Sequence, residues 1–579
     1  MTNPRLFTTT IFDKTTTSET LTKLYFKSLS LPSSSQGAFL TPPSPLSFTA
    51  KDLKISSQEL KKALSLIKKT IKSQGKIVIY GDYDVDGICA TAILQEALHS
   101  LGAKVISFLP HREIDGYGIN PQALARIYQK HPDLALLISV DNGIVALPAA
   151  AWAAKNKINL IITDHHLPGP KLPQASAIVH STSVAGAAVS WFLAKSLGYQ
   201  GLDLLSLGTV ADCLPLLGVN RSFLVHGLAS LSQAPRPGLQ ALLEKAGLSA
   251  ASLTTFDLSF GLAPRLNASG RLDTAFDSLR LLLAPDLATA RPLASILEKH
   301  NRLRQDLQEK AFQKAEKIWL SHPDPPPLIF VADTSFHPGI IGLIAGKLTE
   351  KYSLPSIAIS LPSQKNEIAK ASCRAPDGIN ILEFLQNASA DFSAIGGHAA
   401  AAGFSFPASI LPRLQESLET KARKNLLHPQ DQEALPCFAK ARLSFLSLKN
   451  YRLLQSFAPF GIGNPQPLFY FENLKILQKR IVGRTGLHLQ LKLDDPLTAE
   501  KESIPASAVA FRQAHLDQDL KTAGTLSLAA YIELNDFQGH QTIQLRVKKI
   551  FLEDGKNKKI KKLKIKTIKK IKKPNKDKE

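Results

Sequence analysis

Three aspartates at alternate positions, Asp82, Asp84 and Asp86, follow the apolar run Ile77-Val78-Ile79-Tyr80 and precede Gly87 and a segment rich in Ala, Ile and Leu. Carboxylates this close repel one another, and the repulsion grows as they leave water. A folded chain therefore keeps such a cluster where cations neutralise it. The layout predicts a metal site at the carboxyl end of a strand.

The same arrangement recurs downstream. Ser139-Val140-Asp141-Asn142-Gly143 follows the apolar run Leu134 to Ile138, and Thr163-Asp164-His165-His166 follows Ile158 to Ile162. A fourth acid, Asp212, closes an apolar stretch that starts near Leu204, where periodicity leaves strand and helix equally open. The short apolar runs alternate with helical patterns such as Ile88 to Leu101 and Ala146 to Lys157. That alternation reads as an α/β fold of β-α-β units around a mostly parallel sheet. The carboxyl ends of such strands line the ligand crevice, so acids far apart in sequence become neighbours there.

At 579 residues the chain is too long for one core, and three or four domains are expected. No apolar stretch is long enough to span a bilayer, and the start Met1-Thr2-Asn3-Pro4-Arg5 lacks a secretory signal. The four cysteines form no C-x-x-C pair, which speaks against a disulfide framework or a thiolate zinc site. A soluble, cytoplasmic protein is expected. The net charge of +22 points to a polyanionic partner, nucleic acid or an anionic membrane surface. Half of that excess lies in one place, because Lys556 to Glu579 holds 13 lysines against Asp577 and Glu579. Such a tail binds phosphates without sequence preference, either as a solvated run or as a helix formed on binding.

Residues 1–50 are rich in Ser, Thr and Pro and suggest a loosely ordered arm. The pattern from Leu287 to Trp319 reads as a long bridging helix, ended by Pro323-Asp324-Pro325-Pro326-Pro327. A second α/β pattern starts at Leu328. Alternating runs such as Leu487 to Leu493 and Thr542 to Val547 then predict a small β-barrel, with the oligonucleotide-binding (OB) fold one option among several. Arg480, Arg484, Arg512, Phe511 and Phe537 are candidate strand contacts there, although barrel core is the stronger expectation for the two phenylalanines.

A calcium loop of the EF-hand kind would place a bidentate Glu twelve positions into the aspartate motif, where the chain has Ile93. Carboxylate oxygens with an imidazole suit Mn²⁺ or Mg²⁺. Asp164 beside His165-His166 adds a carboxylate able to fix an imidazole tautomer, as in the support of metal-bound histidine.

Taken together, Gly81 to Gly87, Asp141-Asn142-Gly143, Asp164-His165-His166 and Gly208 to Asp212 resemble the DHH phosphoesterase superfamily in order and spacing. Ala263 to Arg271, His337 to Gly342 and Gly396 to Gly403 narrow the resemblance to the RecJ family of single-strand-specific exonucleases, the last being similar to the glycine-rich motif of a DHHA1 domain. With the arm at 1–50, the connecting helix at 287–322 and the Lys-rich tail at 554–579 read from composition and pattern, the resemblance implies a doubly wound, parallel-sheet DHH catalytic domain at 51–286, a smaller α/β DHHA1 substrate-binding domain at 323–430 and an OB-fold domain at 440–553.

It further implies two divalent cations, Mn²⁺ or Mg²⁺, held by Asp84, Asp86, Asp141, His165 and Asp212, with Asp82 and Asp164 in support and His166 facing the scissile phosphate. Arg374, Gly397 and His398 would contact substrate, with Asn267 and Arg271 on the same path. The activity so implied is hydrolysis of single-stranded DNA, 5′ to 3′, in recombination and repair. The implied partners are single-stranded DNA and a single-strand-binding protein or helicase; no membrane contact and a monomer are expected. Two alternatives remain at this point, a phosphodiesterase of short oligonucleotides or cyclic dinucleotides and a non-catalytic DNA-binding scaffold.

Overall fold

The computed structural model describes residues 5–552 apart from 323, 365–366, 388–391, 426–434, 484, 497–504, 522–524 and 538–539. The Lys-rich tail and Arg484 lie outside the described residues, as does the side chain of Phe537. The chain forms two compact units, one of Thr41–Gln432 and one of Met1–Leu40 with Glu433–Glu579.

The Thr41–Gln432 unit opens with a parallel sheet of five strands, in the order Lys104–Phe108, Lys76–Tyr80, Leu134–Val140, Asn159–Asp164, Ala177–His180. The chain order across it is therefore 2-1-3-4-5, which reverses direction between Lys76–Tyr80 and Leu134–Val140. Strand residues alternate between the two faces. Ile77 and Ile79 join one core with Ile88, Ile93 and Trp191, while Val78 and Tyr80 join another with Leu124, Ile127 and Ala149. Burial on both faces explains why the strands read as continuous apolar runs rather than alternating ones.

The helix Val85–Ser100 is buried along most of its length and packs on the helices Gly186–Lys195 and Asp203–Ala211. Its small residues, Gly87, Ala90, Ala92 and Ala97, permit that close approach. The stretch ending at Asp212, left open between strand and helix by its sequence, is helical, so this acid arrives from a helix C-terminus rather than a strand end.

Asp286 caps the bridging helix Leu287–Leu320 by accepting a hydrogen bond from Thr289 N at 2.8 Å. A mixed five-stranded sheet follows, ordered Ala394–His398, Ala401–Pro407, Ile368–Arg374, Ser356–Ser360, Ile329–Asp333, with only the last two strands parallel.

In the other unit, strands Phe469–Val482, His488–Asp494, Ala506–Ala510, His540–Leu552 and Thr525–Phe537 pair in a closed ring. The start of the chain differs from the loose arm expected. Ile11–Phe12 pairs with Ala439–Ala441 as an added strand, and Phe12 is fully buried against Phe438, Phe445 and Phe469. On the helix Ser18–Ser28, Tyr25 stacks on Phe457 at 4.2 Å and donates a hydrogen bond to Asn464 Oδ1 at 2.6 Å. The Ser/Thr/Pro composition masked a few aromatic residues whose burial outweighs it. Phe511 is also not in the barrel core; it is 53% exposed, beside His488.

Candidate metal centre

The strand Lys76–Tyr80 delivers the aspartate motif to the point where the sheet reverses, the usual ligand crevice of an open parallel sheet. Asp84 caps the following helix, accepting from Gly87 N at 3.1 Å, and Asp86 falls in the first turn. Buried Asp86 accepts from Gly186 N at 2.6 Å and Ala187 N at 2.9 Å, at the N-terminus of a second helix. Asn142 ties the two central strands together by donating to Gly81 O at 3.1 Å and Val140 O at 2.9 Å. Asp141 holds a left-handed backbone at φ 61°, which turns its side chain out of the strand direction.

Three groups of ligand atoms lie within 4.8 Å of one another: Asp82, Asp84 and Asp141; Asp86, His165 and Asp212; and Asp141, His165 and His166. The four sequence segments thus converge, and Asp141 and His165 each belong to two groups. Asp82, expected in support, offers a carboxylate oxygen within 4.8 Å of those of Asp84 and Asp141. Burial followed by neighbouring Asp84 pushes its carboxyl up to about 8. Burial and then Asp84 push Asp212 up to about 7, and Asp86 and Asp141 rise well above the carboxylate range through burial and neighbouring acids. Burial lowers His165 to about 4, so its imidazole is neutral and open to a cation.

The fit to divalent cations is visible without any ion. Asp141 Oδ1 is buried and has no hydrogen-bond partner among the described residues. A Cβ on Gly186 would sit 2.6 Å from Asp141 Cγ, and one on Gly208 2.6 Å from Asp86 Oδ1. Only glycine leaves the acids room, and hard oxygen donors with one imidazole suit Mn²⁺ or Mg²⁺.

Asp164 fixes one imidazole, as expected, and it is that of His166. Its Oδ1 accepts from His166 Nδ1 at 2.8 Å and from the backbone N–H groups of His165 and His166, while Oδ2 accepts from Ile144 N at 2.8 Å. Burial disfavours the charged form of His166, but the hydrogen bond and charge of Asp164 prevail and raise its pKa.

Asn267 reaches the same corner, its Oδ1 accepting from Val85 N at 3.1 Å at the start of the helix Val85–Ser100. Arg271 donates to Gly339 O at 3.2 Å, and Arg374 donates to Cys373 O at 2.7 Å and Ser372 Oγ at 3.2 Å. Burial and then Arg112 and Arg304 bring the Arg271 guanidinium down to about 10, and Arg374 also lies within its field. Pairing places Arg374 and His398 opposite the same residue, Ala401, in one cross-strand row. Gly397, at φ 141°, precedes exposed His398.

Sequence reasoning passed over Arg112, whose guanidinium lies 4.3 Å from the Tyr83 ring centre, and Tyr117, whose hydroxyl is 2.9 Å from His166 Nε2. The flanking Gly116 and Gly118 were the available signal for Tyr117.

Comparison with known proteins places three family models on the chain: DHH family, N-terminal domain, at 76–213; DHHA1 domain at 326–424; and RecJ OB domain at 439–549. The single-stranded-DNA-specific exonuclease RecJ of Bacillus subtilis (strain 168) is 32% identical over 506 residues, covering 84% of this chain and 63% of that protein. The protein of the same name from Dickeya dadantii (strain 3937) is 30% identical over 527 residues, covering 84% of this chain and 90% of its own length. The crystal structure of RecJ in complex with Mn²⁺ from Thermus thermophilus superposes with a TM-score of 0.74 at 27% identity, over 92% of this chain and 76% of that one. The chain therefore spans under two thirds of the Bacillus relative and most of the other two.

Proposed function

Because the chain belongs to the RecJ family of single-stranded-DNA-specific exonucleases, we propose that it hydrolyses single-stranded DNA from one end, 5′ to 3′, in recombination and repair. The observation that carries this reading is the meeting of five aspartates and His165 at the switch point of the sheet. Asp84, Asp86, Asp141, His165 and Asp212, with Asp82 beside them, would hold the two cations. Such a pair, when bound, supplies hydroxide near neutral pH and offsets charge on the leaving oxygen.

The protein's own groups do the rest. Asp164 orients His166 toward the phosphodiester, where the imidazole donates a hydrogen bond to a phosphate oxygen. Arg112, Arg271, Arg304 and Arg374 receive the strand. No carboxylate pairs with these four among the described residues, whereas Arg236 is bound by Glu96 and Asp203, and Arg265 by Glu298. An arginine held only by neutral groups keeps its charge for a phosphate. His398 and Gly397 border the same path from the second sheet, and the closed barrel offers a further strand-binding surface.

No described helix is long and apolar enough to cross a membrane. All four cysteines are free thiols, in keeping with action in the reducing cytoplasm, as a monomer that meets DNA bearing a single-strand-binding protein or a helicase.

End-labelled single- and double-stranded DNA, digested with and without Mn²⁺, tests the reading. Mononucleotides are expected from the 5′-labelled single strand alone, with chelator stopping the reaction. Equal loss of duplex, or release from the 3′ end, overturns it. Preferential cleavage of dinucleotides over long strands would instead identify a phosphodiesterase of short substrates.

A further inference from the structure

Phe256 and Phe260 are each 67% exposed, and their rings stack with centroids 4.7 Å apart and planes 29° from parallel. Single exposed phenylalanines are common on protein surfaces, whereas two large rings paired outside the core form a patch that calls for an occupant.

The pair is held in place by its surroundings. Thr254 N and Oγ1 donate to Asp257 Oδ2 at 2.8 and 2.7 Å, and Asp257 N donates back to Thr254 Oγ1 at 3.3 Å, which fixes the start of the helical segment. Asp257–Leu262 then forms a π-helical turn, a local widening that recurs at functional sites. Leu258 and Leu262 anchor the turn in the core, and a Cβ on Gly261 would stand 2.6 Å from Leu248 Cδ1, so the turn lies close against its neighbour.

The helical backbone continues without a break into Ala263–Leu272. Leu258, Leu262, Leu266 and Ser269 form its buried row. Phe256, Phe260, Asn267 and Arg271 recur at spacings of four, seven and four, which places them in one row on the opposite side. That second row ends at the metal site. Asn267 accepts from Val85 N at the start of the helix Val85–Ser100, and Arg271 lies in the field of Arg112, Arg304 and Arg374. From Phe260 to Arg271 the helix rises about 16 Å at about 1.5 Å per residue. A single strand covers that distance in about five nucleotides at the stacked spacing of about 3.4 Å.

We infer that Phe256 and Phe260 form a stacking platform that receives bases of the incoming single strand a few nucleotides from the scissile bond. The inference rests on the reading of the protein as a single-strand exonuclease. The occupant follows from the other end of the row, where arginines without a carboxylate partner among the described residues take phosphates. A strand anchored there extends along the same helix face, and phenylalanine offers its phosphates nothing but its bases a flat apolar partner. Every base has a π-face, so stacking grips a strand whatever its sequence. An enzyme that consumes a strand nucleotide by nucleotide needs a grip of that kind.

The test is strand affinity by fluorescence anisotropy on the full chain in chelator, with labelled oligothymidylate as the probe. Phe256→Ala combined with Phe260→Ala is expected to weaken binding roughly tenfold, within the range for losing one stacked base. In turnover the same change should raise KM for long strands by a similar factor, and the rise should vanish with a dinucleotide, which ends short of the pair. Phe260→Leu, apolar but without a π-face, should weaken binding while Phe260→Trp retains it, and these two single variants carry the test if the double variant does not fold. Strands with one abasic site at successive positions should bind the wild type less well when the gap lies a few nucleotides from the 5′ end, and the double variant should be indifferent to that gap. Wild-type affinity in the double variant, equal affinity of the Leu and Trp variants, or an abasic penalty that persists in the double variant overturns the inference. So does a wild-type dimer that the double variant dissolves with strand affinity unchanged, which would assign the pair to a second copy of this chain. If the wild type itself neither binds nor hydrolyses single strands, the exonuclease reading fails, an outcome seen without any variant.

Discussion

Asp141 Oδ1 and His165 Nε2 stand 3.1 Å apart, yet the buried Asp141 oxygen makes no hydrogen bond among the described residues. A buried, unpaired carboxylate oxygen costs about 1–3 kcal/mol or more, a cost that a cation bound by Asp141 and His165, as proposed, would offset. Asp141→Ala should accordingly lower Mn²⁺-dependent hydrolysis by on the order of 10³-fold, with strand binding retained in a gel-shift assay. Unchanged hydrolysis would reject the assignment.

Removing the metal should make stability depend on pH in an unusual direction. Asp82 and Asp212 have folded-state values raised to about 8 and about 7. A carboxyl whose pKa is raised by folding contributes stability at low pH that is lost as pH climbs through the folded value. In chelator, Tm should fall as pH rises from about 4, the ordinary carboxylate value, to about 8, the higher of the two folded values. Saturating Mn²⁺ favours the ionised acids and should remove the trend. A flat profile in chelator would mean that the acids repel one another less than their geometry requires.

Gly186→Ala should damage the metal site without touching a ligand. The new methyl would overlap Asp141, and the backbone N–H of Gly186 also serves Asp86. A loss of about 1–3 kcal/mol of stability is expected from overpacking, together with weaker Mn²⁺ binding by calorimetry. Wild-type Mn²⁺ affinity in a folded variant would contradict the close packing.

Arg374→Ala should weaken single-stranded DNA binding and reduce the slope of log K against log salt by about 0.7, the value for one phosphate contact on a single strand. Fluorescence titrations across a salt series read both numbers. A slope identical to that of the unsubstituted protein would remove Arg374 from the path.

The N-terminal segment should prove part of the barrel unit rather than an appendage. Deleting residues 1–40 exposes the aromatic cluster around Phe438 and Phe469 and should leave the truncated protein prone to aggregation. Tyr25→Phe, which loses the donor to Asn464 Oδ1, should cost about 1–3 kcal/mol in chemical denaturation.

The residues themselves disclosed the acids that gather at the switch point of the sheet. Carboxylates placed after apolar runs carry their meaning locally, because strand periodicity and charge repulsion act between near neighbours. The bridging helix was equally legible: Leu287 to Trp319 was expected and Leu287–Leu320 is observed. The roles of the two histidines were not legible. Adjacent in sequence, they part company because Asp164 and Tyr117 close on one of them, and Tyr117 arrives from a loop 49 residues away. Nor did composition reveal that Phe12 and Tyr25 pack with residues more than 400 positions later in the barrel unit.

Local sequence thus determined the elements and the ion-binding chemistry, since these depend on side-chain type and short spacing. Tertiary structure alone decided which oxygen stays unpaired, which imidazole faces the acids, and which arginines lack a carboxylate partner among the described residues. Each of those depends on partners brought together only when the chain is packed.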